Sequence, residues 1–328
     1  MLRFATRRVL LVALSAWIVA SAAFVLGQWA EGDEAVQSVG FSGSDTTLAR
    51  MRAARGLDRP LSERYLAWTT RLAHLDFGTS FRFQRPVGPL VAASAANTAL
   101  LAAAAFVLAA ALGLGGGMIT GSAPGSVAAT FVRSISIVLL SCPPLLSSIL
   151  LVWAAVVTGL LPPSGIESAD AGATFAARLA DIARHLPLPT LALALPLAAV
   201  IERVAAQAIA EALAEPSIVG ARARGVSEHD IRWRHALRLA AAPILAVAGT
   251  IAGALLSGSV AVELVTSWPG LGRLTFEALT ARDADLAAGC AIAAALGLGL
   301  AVLAADLALS AVDPRVRTHN VRAAEQAA

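Results

Sequence analysis

The chain has 328 residues, 57% of them hydrophobic and 14% charged, with a net charge of only +3, far more apolar than soluble globular domains. All twenty-five basic residues are arginine, which excludes the lysine that a GxxxxGK[ST] phosphate loop or a Schiff base needs, and so small a charge gives no reason to expect a nucleic-acid partner. What remains is an all-α fold, a polytopic transmembrane helical bundle in contact with membrane lipid. Cys142 and Cys290 both lie in apolar runs, where a thiol acts as a small hydrophobe and neither a disulfide nor a metal site is expected.

The opening, MLRFATRRVLLVALSAWIVASAAFVLGQ, places a basic head before an apolar run from Val9 to Leu26. Ala20-Ser21-Ala22 has the form of a signal-peptide cleavage site. The run continues past it and is long enough to span, which favours an uncleaved first helix with Arg3, Arg7 and Arg8 left in the cytoplasm. Residues 31–90 hold no spanning run and by alternation lie outside the cytoplasm. Within them LSERYLAWTTRLAHL, residues 61–75, carries Leu61, Tyr65, Leu66, Trp68, Leu72 and Leu75, a spacing that predicts an amphipathic helix.

Five more apolar runs, at about 94–119, 132–161, 186–206, 241–264 and 286–311, complete six spans with both termini inside. The segments left in the cytoplasm then hold Arg133, the group from Arg203 to Arg238, and Arg315, Arg317 and Arg322, in agreement with the positive-inside rule. GLGGG at 113–117 and GTIAG at 249–253 have the GxxxG spacing that permits close helix approach, although chance alone produces it often in so Ala- and Gly-rich a chain. SCPPLLSS at 141–148 sets Pro143 and Pro144 mid-span and predicts a kink. Asp306, near the inner end of the last span, reads as a structural carboxylate or as a proton-relay group. Glu263 and Asp285, at the outer ends of theirs, read as interfacial. His74, His185, His229, His235 and His319 show no metal-ligand spacing.

The most polar inner segment is GARARGVSEHDIRWRHALR, residues 220–238, with five arginines and two acids between two apolar stretches. Gly225 supplies a break. Ser227 with Asp230 three positions on has the form of a capping box, so a second short helix should start just after the glycine. Trp233 and Leu237, four apart, would share a face of that helix, with Arg232, Arg234 and Arg238 elsewhere. The element is either a solvated loop that fixes topology, or one that lies on a membrane surface or docks into a partner's groove.

The order of residues in ARARGVSEHDIRWRHALRLAAAPIL resembles the cytoplasmic coupling segment, the EAA loop, of permease subunits in ATP-binding-cassette importers for dipeptides, oligopeptides and nickel. Val219, Gly220 and Ala221 stand where the general motif has Glu-Ala-Ala, and His235-Ala236-Leu237-Arg238 is similar to the peptide-permease variant. RGLDRPLSERYLAW at 55–68, LDFGTSF at 75–81, VELVTSWPGLGRL at 262–274 and DLALSAVDPRVR at 306–317 resemble further parts of the same subunit type, whereas AEGDEAV at 30–36 departs from the family's Pro-Gly-Asp turn.

The resemblance implies a type I ABC importer permease fold in the bacterial inner membrane. Residues 1–30 would be an N-terminal tail and first helix, 31–93 an extracytoplasmic segment, 94–311 the permease core with its coupling loop at about 207–240, and 312–328 a cytoplasmic tail. It implies no bond-making chemistry and no cofactor in this chain: ATP and Mg would be bound by partner ATPase subunits, beside a second permease subunit and an extracytoplasmic substrate-binding protein. The ATPase-coupling residues would be Ala221, Arg222, Arg224, Gly225, Ser227, Asp230, Trp233, Arg234, His235 and Leu237. Of these, Gly225 would make the turn, Trp233 and Leu237 the apolar docking, and Arg222, Arg224 and Arg234 the polar contacts. Trp268, Pro269, Gly270, Gly272 and Arg273 would form a receptor-facing turn, Trp268 being alternatively a member of the interfacial aromatic belt.

Two other classes compete. A secondary transporter would show inverted repeats and ionisable groups near the bilayer midplane, and an intramembrane enzyme would show a paired catalytic set at membrane depth. Neither pattern is clear in the six spans. Peptides are the expected cargo, with nickel, glutathione or another small solute as the alternative within the family.

Overall fold

The computed structural model describes residues 2–29, 59–168 and 174–312. The departure at 30–36, the start of the external match at 55–58, and Arg315, Arg317, His319 and Arg322 of the tail lie outside the described residues. Apart from one antiparallel bridge between Thr79 and Pro86, the described elements are helices, as backbone groups in hydrocarbon require. In chain order they are α1 (Leu2–Trp29), α2 (Leu61–Ala73), α3 (Val87–Ser122), α4 (Val127–Leu140), α5 (Pro144–Thr158), α6 (Phe175–His185), α7 (Pro187–Ala214) and α8 (Pro216–Ala223). A short turn, Glu228–Asp230, and a π-helical stretch, Ile231–Ala236, lead into α9 (Leu237–Ala246), α10 (Ala248–Val265), α11 (Leu271–Thr280) and α12 (Ala284–Val312).

Arg8–Val25 of α1, with α3, α7, α10 and α12, are each long and apolar enough to cross a bilayer. The run expected at 132–161 is not one kinked helix: α4 and α5 meet at 103°. Pro143 and Pro144 both lack an N–H, and each drives the residue before it out of the helical region. Pro143 accordingly sits at φ −60, ψ 150 before Pro144 opens α5. Other bounds shift too, with α3 starting at Val87 rather than 94 and α7 running on to Ala214 rather than 206.

The chain divides into two compact units, Met1–Ala99 with Pro269–Gly299 and Leu100–Trp268 with Leu300–Ala328. In the first, α2 forms where the amphipathic spacing placed it and buries Trp68 against Ala20, Phe24 and Ala288. Phe24 stacks on Trp68 at 5.0 Å and meets Tyr65 edge-on at 5.8 Å, a geometry favoured by ring quadrupoles. Ser21 Oγ and Tyr65 Oη lie 2.8 Å apart. The Ala20-Ser21-Ala22 stretch is therefore continuous helix, with Ala20 in the core of this unit, Ser21 half-buried and Ala22 exposed.

Asp283 caps α12 in the same unit. Buried, it accepts from Leu286 N at 3.1 Å, Ser80 Oγ at 2.6 Å and Arg82 N at 3.0 Å, so one carboxylate fixes a helix start and the loop before α3 together. Asp285, expected at an interface, pairs with Arg71 at 3.4 Å.

In the second unit α3 and α7 approach closely. A Cβ on Gly113 would stand 2.6 Å from Ile201 Cβ, and Gly117 and Gly121 press as closely on Ala205 and Ala206, which is the use of GxxxG spacing that brings backbones together in lipid. Gly249, from the second such motif, meets only Val302 at an ordinary 3.9 Å. Because residue numbers rise together along the contact, α3 and α7 run parallel. An odd number of crossings must then separate them, so the bent pair α4 and α5 counts as one span and the described residues hold six.

Leu101, Ala105 and Ala109 join Ala192, Leu193, Ala194, Leu197, Ala198 and Ile201 of α7, with Ile251, Leu255, Val262 and Trp268, in the main core. One end of the unit gathers Ile166, Leu186 and Trp268, and Gly165 N–H donates to Thr266 O at 2.8 Å. Further along α7, a second cluster gathers Met118, Ala208, Ile209 and Ala240. Glu263, expected at an interface, is fully buried. Asp306 is half-buried on α12.

Replacing Asp283 by Ala should strand three donors and destabilise the folded protein by about 3 kcal/mol. Thermal unfolding of the purified protein would register this as a lowered Tm, while Asp283→Asn, which still accepts, should lose less.

Candidate functional site

The polar insert is built by ordinary helix-terminus chemistry. Pro216 opens α8 at its first turn, where its missing N–H is no loss. Ile218 and Ala221 are buried, three apart on one face. The helix closes in a Schellman motif: Gly225 N–H donates to Arg222 O at 3.0 Å and Val226 N–H to Ala221 O at 3.2 Å. Gly225 has φ +81, and nothing lies within 4 Å of where its Cβ would be. Backbone conformation alone, not crowding, demands glycine there.

Ser227 then caps the next turn. Its Oγ accepts from Asp230 N at 3.1 Å and donates to Asp230 Oδ2 at 2.8 Å, a variant of the expected capping box in which the acid meets the cap hydroxyl rather than its backbone N–H. Across the turn Arg222 grips Glu228 with two bonds, Nε to Oε1 at 2.6 Å and Nη2 to Oε2 at 3.3 Å. This fork-to-fork geometry holds the Glu228 carboxyl below its usual range and raises Arg222 above its own.

One expectation fails at the next step. Ile231–Ala236 is π-helical, not α-helical, so residues four apart no longer share a face. Ile231 and Ala236, five apart, are the buried pair. Trp233 is turned outward, 47% exposed, with the His229 ring 6.4 Å away. Leu237 turns inward and packs on the cluster of Met118, Ala205, Ala208, Ile209 and Ala240. The predicted Trp233–Leu237 ridge does not exist, and Leu237 is an internal anchor. Asp230 reaches Arg234 at 3.6 Å. Arg224, Trp233, Arg234, His235 and Arg238 remain exposed together with the Arg222–Glu228 clamp. Ala221 is buried.

Sequence reasoning missed Ile218, Ile231 and Ala236 as the anchors and Glu228 as the clamp. The Arg222/Glu228 charge complement was visible, but its partners lie on opposite sides of a turn. A five-residue apolar spacing matches no helix template.

Of the five residues expected in a receptor-facing turn, Trp268, Gly270 and Gly272 are buried. Trp268 is fully buried in the core of its unit, so its ring presents no surface in this structure. Only Thr266–Gly270 separate α10 from α11, and in so short a link the large apolar ring folds back into the core. Gly270 and Gly272 are buried and Pro269 half-buried. Asn97 Nδ2 donates to Pro269 O at 2.9 Å, and Thr98 Oγ1 accepts from Leu271 N at 2.7 Å. Arg273 pairs with Glu277 at 3.0 Å and is the part of the group with appreciable exposure.

Residues 113–318 match the family model described as binding-protein-dependent transport system inner membrane component. Residues 1–101 match that of the N-terminal part of the same membrane component. A Brucella ovis protein whose name is that of a peptide permease is 31% identical over 97% of this chain and 99% of its own length. A Brucella abortus protein named for a peptide transport system permease is 32% identical over 92% of this chain and 94% of its own. A glutathione transport system permease protein of Escherichia coli is 29% identical over 97% and 99%. A helical membrane fold, a glycine-hinged polar insert and matches along nearly the whole chain agree, and the chain belongs to the binding-protein-dependent inner membrane components, the permease subunits of ABC importers.

Proposed function

We propose that this subunit moves peptides of the dipeptide and oligopeptide class across the cytoplasmic membrane, with both its termini cytoplasmic. The observation that carries the reading is full-length similarity to proteins named as peptide permeases. The glutathione permease relative supports a second cargo of kindred chemistry, since glutathione is itself a small peptide. Binding of peptides, glutathione and nickel chelates to the cognate substrate-binding protein separates these cargoes: peptide binding upholds the reading, and binding of nickel chelates alone overturns it.

ATP and Mg are bound by separate ATPase subunits, which act on this chain and on a second permease subunit through the polar insert. Gly225 sets the turn. Trp233, Arg224, Arg234 and His235 form the docking face, because they are the exposed motif side chains outside the clamp and the cap hydroxyl, while the Arg222–Glu228 clamp and the Ser227–Asp230 cap keep the element stiff. Ala221 and Leu237 serve differently: they fasten the insert to α7 and α9, so that a push on it reaches the spanning helices. Closure of the ATPase pair would then shift the core between two packings, as coupling by a two-state element requires.

Trp233→Ala should weaken ATPase association by about 2 kcal/mol, roughly thirtyfold, with the permease inserted at normal levels; pull-down of the ATPase from membranes checks this. Leu237→Ala should instead lower the thermal stability of the permease itself, by about 2 kcal/mol. Gly225→Ala should strain the left-handed turn by about 1 kcal/mol and uncouple transport from ATP hydrolysis. The depressed Glu228 carboxyl makes the clamp's contribution full above the ordinary value of 4.5, and lost as pH falls through the lower folded value. Hydrogen exchange across 221–231, corrected for intrinsic rates, should rise on that acid limb in the wild type and show no such limb in Glu228→Gln.

A further inference from the structure

Glu202 lies near the middle of α7, on the helix that leads to the insert, and is 4% exposed. A carboxyl buried within a spanning helix is expensive and normally functional, with a partner to be named. Here the partner is Thr120 of α3, whose buried Oγ1 hydrogen-bonds Glu202 Oε1 and also lies 3.1 Å from Gly116 O. The place is built for the acid: a Cβ on Gly116 would come within 3.1 Å of Glu202 Cγ, so glycine leaves the room that the side chain fills.

The surrounding contact has a periodicity that makes this one bond informative. Gly113, Gly117 and Gly121 recur every four residues on α3, and Ile201, Ala205 and Ile209 recur every four on α7. Sliding one helix past the other by one repeat, about 6 Å, sets glycine holes on equivalent small or apolar knobs again. Apolar packing therefore leaves the register nearly degenerate. The Thr120–Glu202 bond does not repeat, since a one-repeat slip puts Ala198 or Ala206 opposite Thr120. One-turn ratchets of packed elements are a known mode of switching, and a single buried polar residue is a known means of fixing register.

We infer that Glu202 and Thr120 are positioning residues that lock the register of α7 on α3, so that a push on the insert moves the two helices as one body instead of ratcheting one along the other. The consequence for transport rests on the coupling role proposed above, while the register itself does not.

The test uses the assembled transporter with Cys142→Ser and Cys290→Ser, spin-labelled at Ile119→Cys and Gln207→Cys, and measured by pulsed electron resonance without nucleotide and with trapped ATP. The wild-type pair and Glu202→Gln, whose amide oxygen still accepts from Thr120, should give one narrow distance that is the same in both states. Glu202→Ala and Thr120→Val should add a second distance population, and transport per ATP hydrolysed should fall about threefold, the size of an average interhelical hydrogen bond in a membrane. A single unchanged distance in both apolar variants would overturn the register lock, as would a wild-type distance that changes between nucleotide states. A second population with unchanged transport per ATP would uphold the lock and count against the coupling role instead.

Discussion

The second unit depends on how closely α3 and α7 can approach. Three glycines at four-residue spacing let the backbone of one helix lie against the other with no side chain between them, and without a hydrophobic driving force inside lipid this close packing is what holds such helices together. Their parallel course requires the bent pair between them to cross once. α7 then carries the main core along its first half and the cluster that seats the insert along its second. A larger side chain at Gly117 would separate the helices and loosen both clusters at once.

The insert illustrates how a charged segment can be rigid without being buried. Its backbone ends are satisfied by a Schellman turn and a serine cap, its flanks are joined by a two-pronged arginine–glutamate pair, and its apolar residues point back into the protein. Such an element can pass on a displacement because few of its own bonds give way. The outward Trp233 offers a flat apolar surface among exposed arginines, the combination found at the energetic centres of protein interfaces.

Composition and hydropathy were enough to read the helical membrane fold, the location of each span and the polar insert, because lipid enforces long apolar helices so strictly. The amphipathic α2, the Gly225 turn and the Ser227 cap were legible for a similar reason: each rests on local chemistry within one turn of chain. What escaped was set by tertiary context. Two consecutive prolines broke α4 from α5 where a mid-span kink was expected. A π-helical stretch rotated Trp233 away from Leu237, and no local signal announces that extra residue per turn. Trp268 looks like a surface tryptophan beside a Pro-Gly turn, yet burying it in the core outweighed the polarity of its loop. Glu202 was passed over because it stands beside Arg203 near the expected end of a span, and only the longer α7 shows it to be mid-helix.

The coupling proposed above places the insert on the inner face, with Trp233 against a separate ATPase. The most direct measurement is cysteine cross-linking in native membranes, with single cysteines at positions 233 and 237 in a chain freed of its own thiols, together with labelling by a membrane-impermeant thiol reagent from either side. The account predicts that position 233 cross-links to the ATPase subunit and is labelled from the cytoplasmic side, while position 237, packed inward, does neither. Labelling of position 233 from the outside, or a cross-link formed by 237 and not by 233, would contradict it.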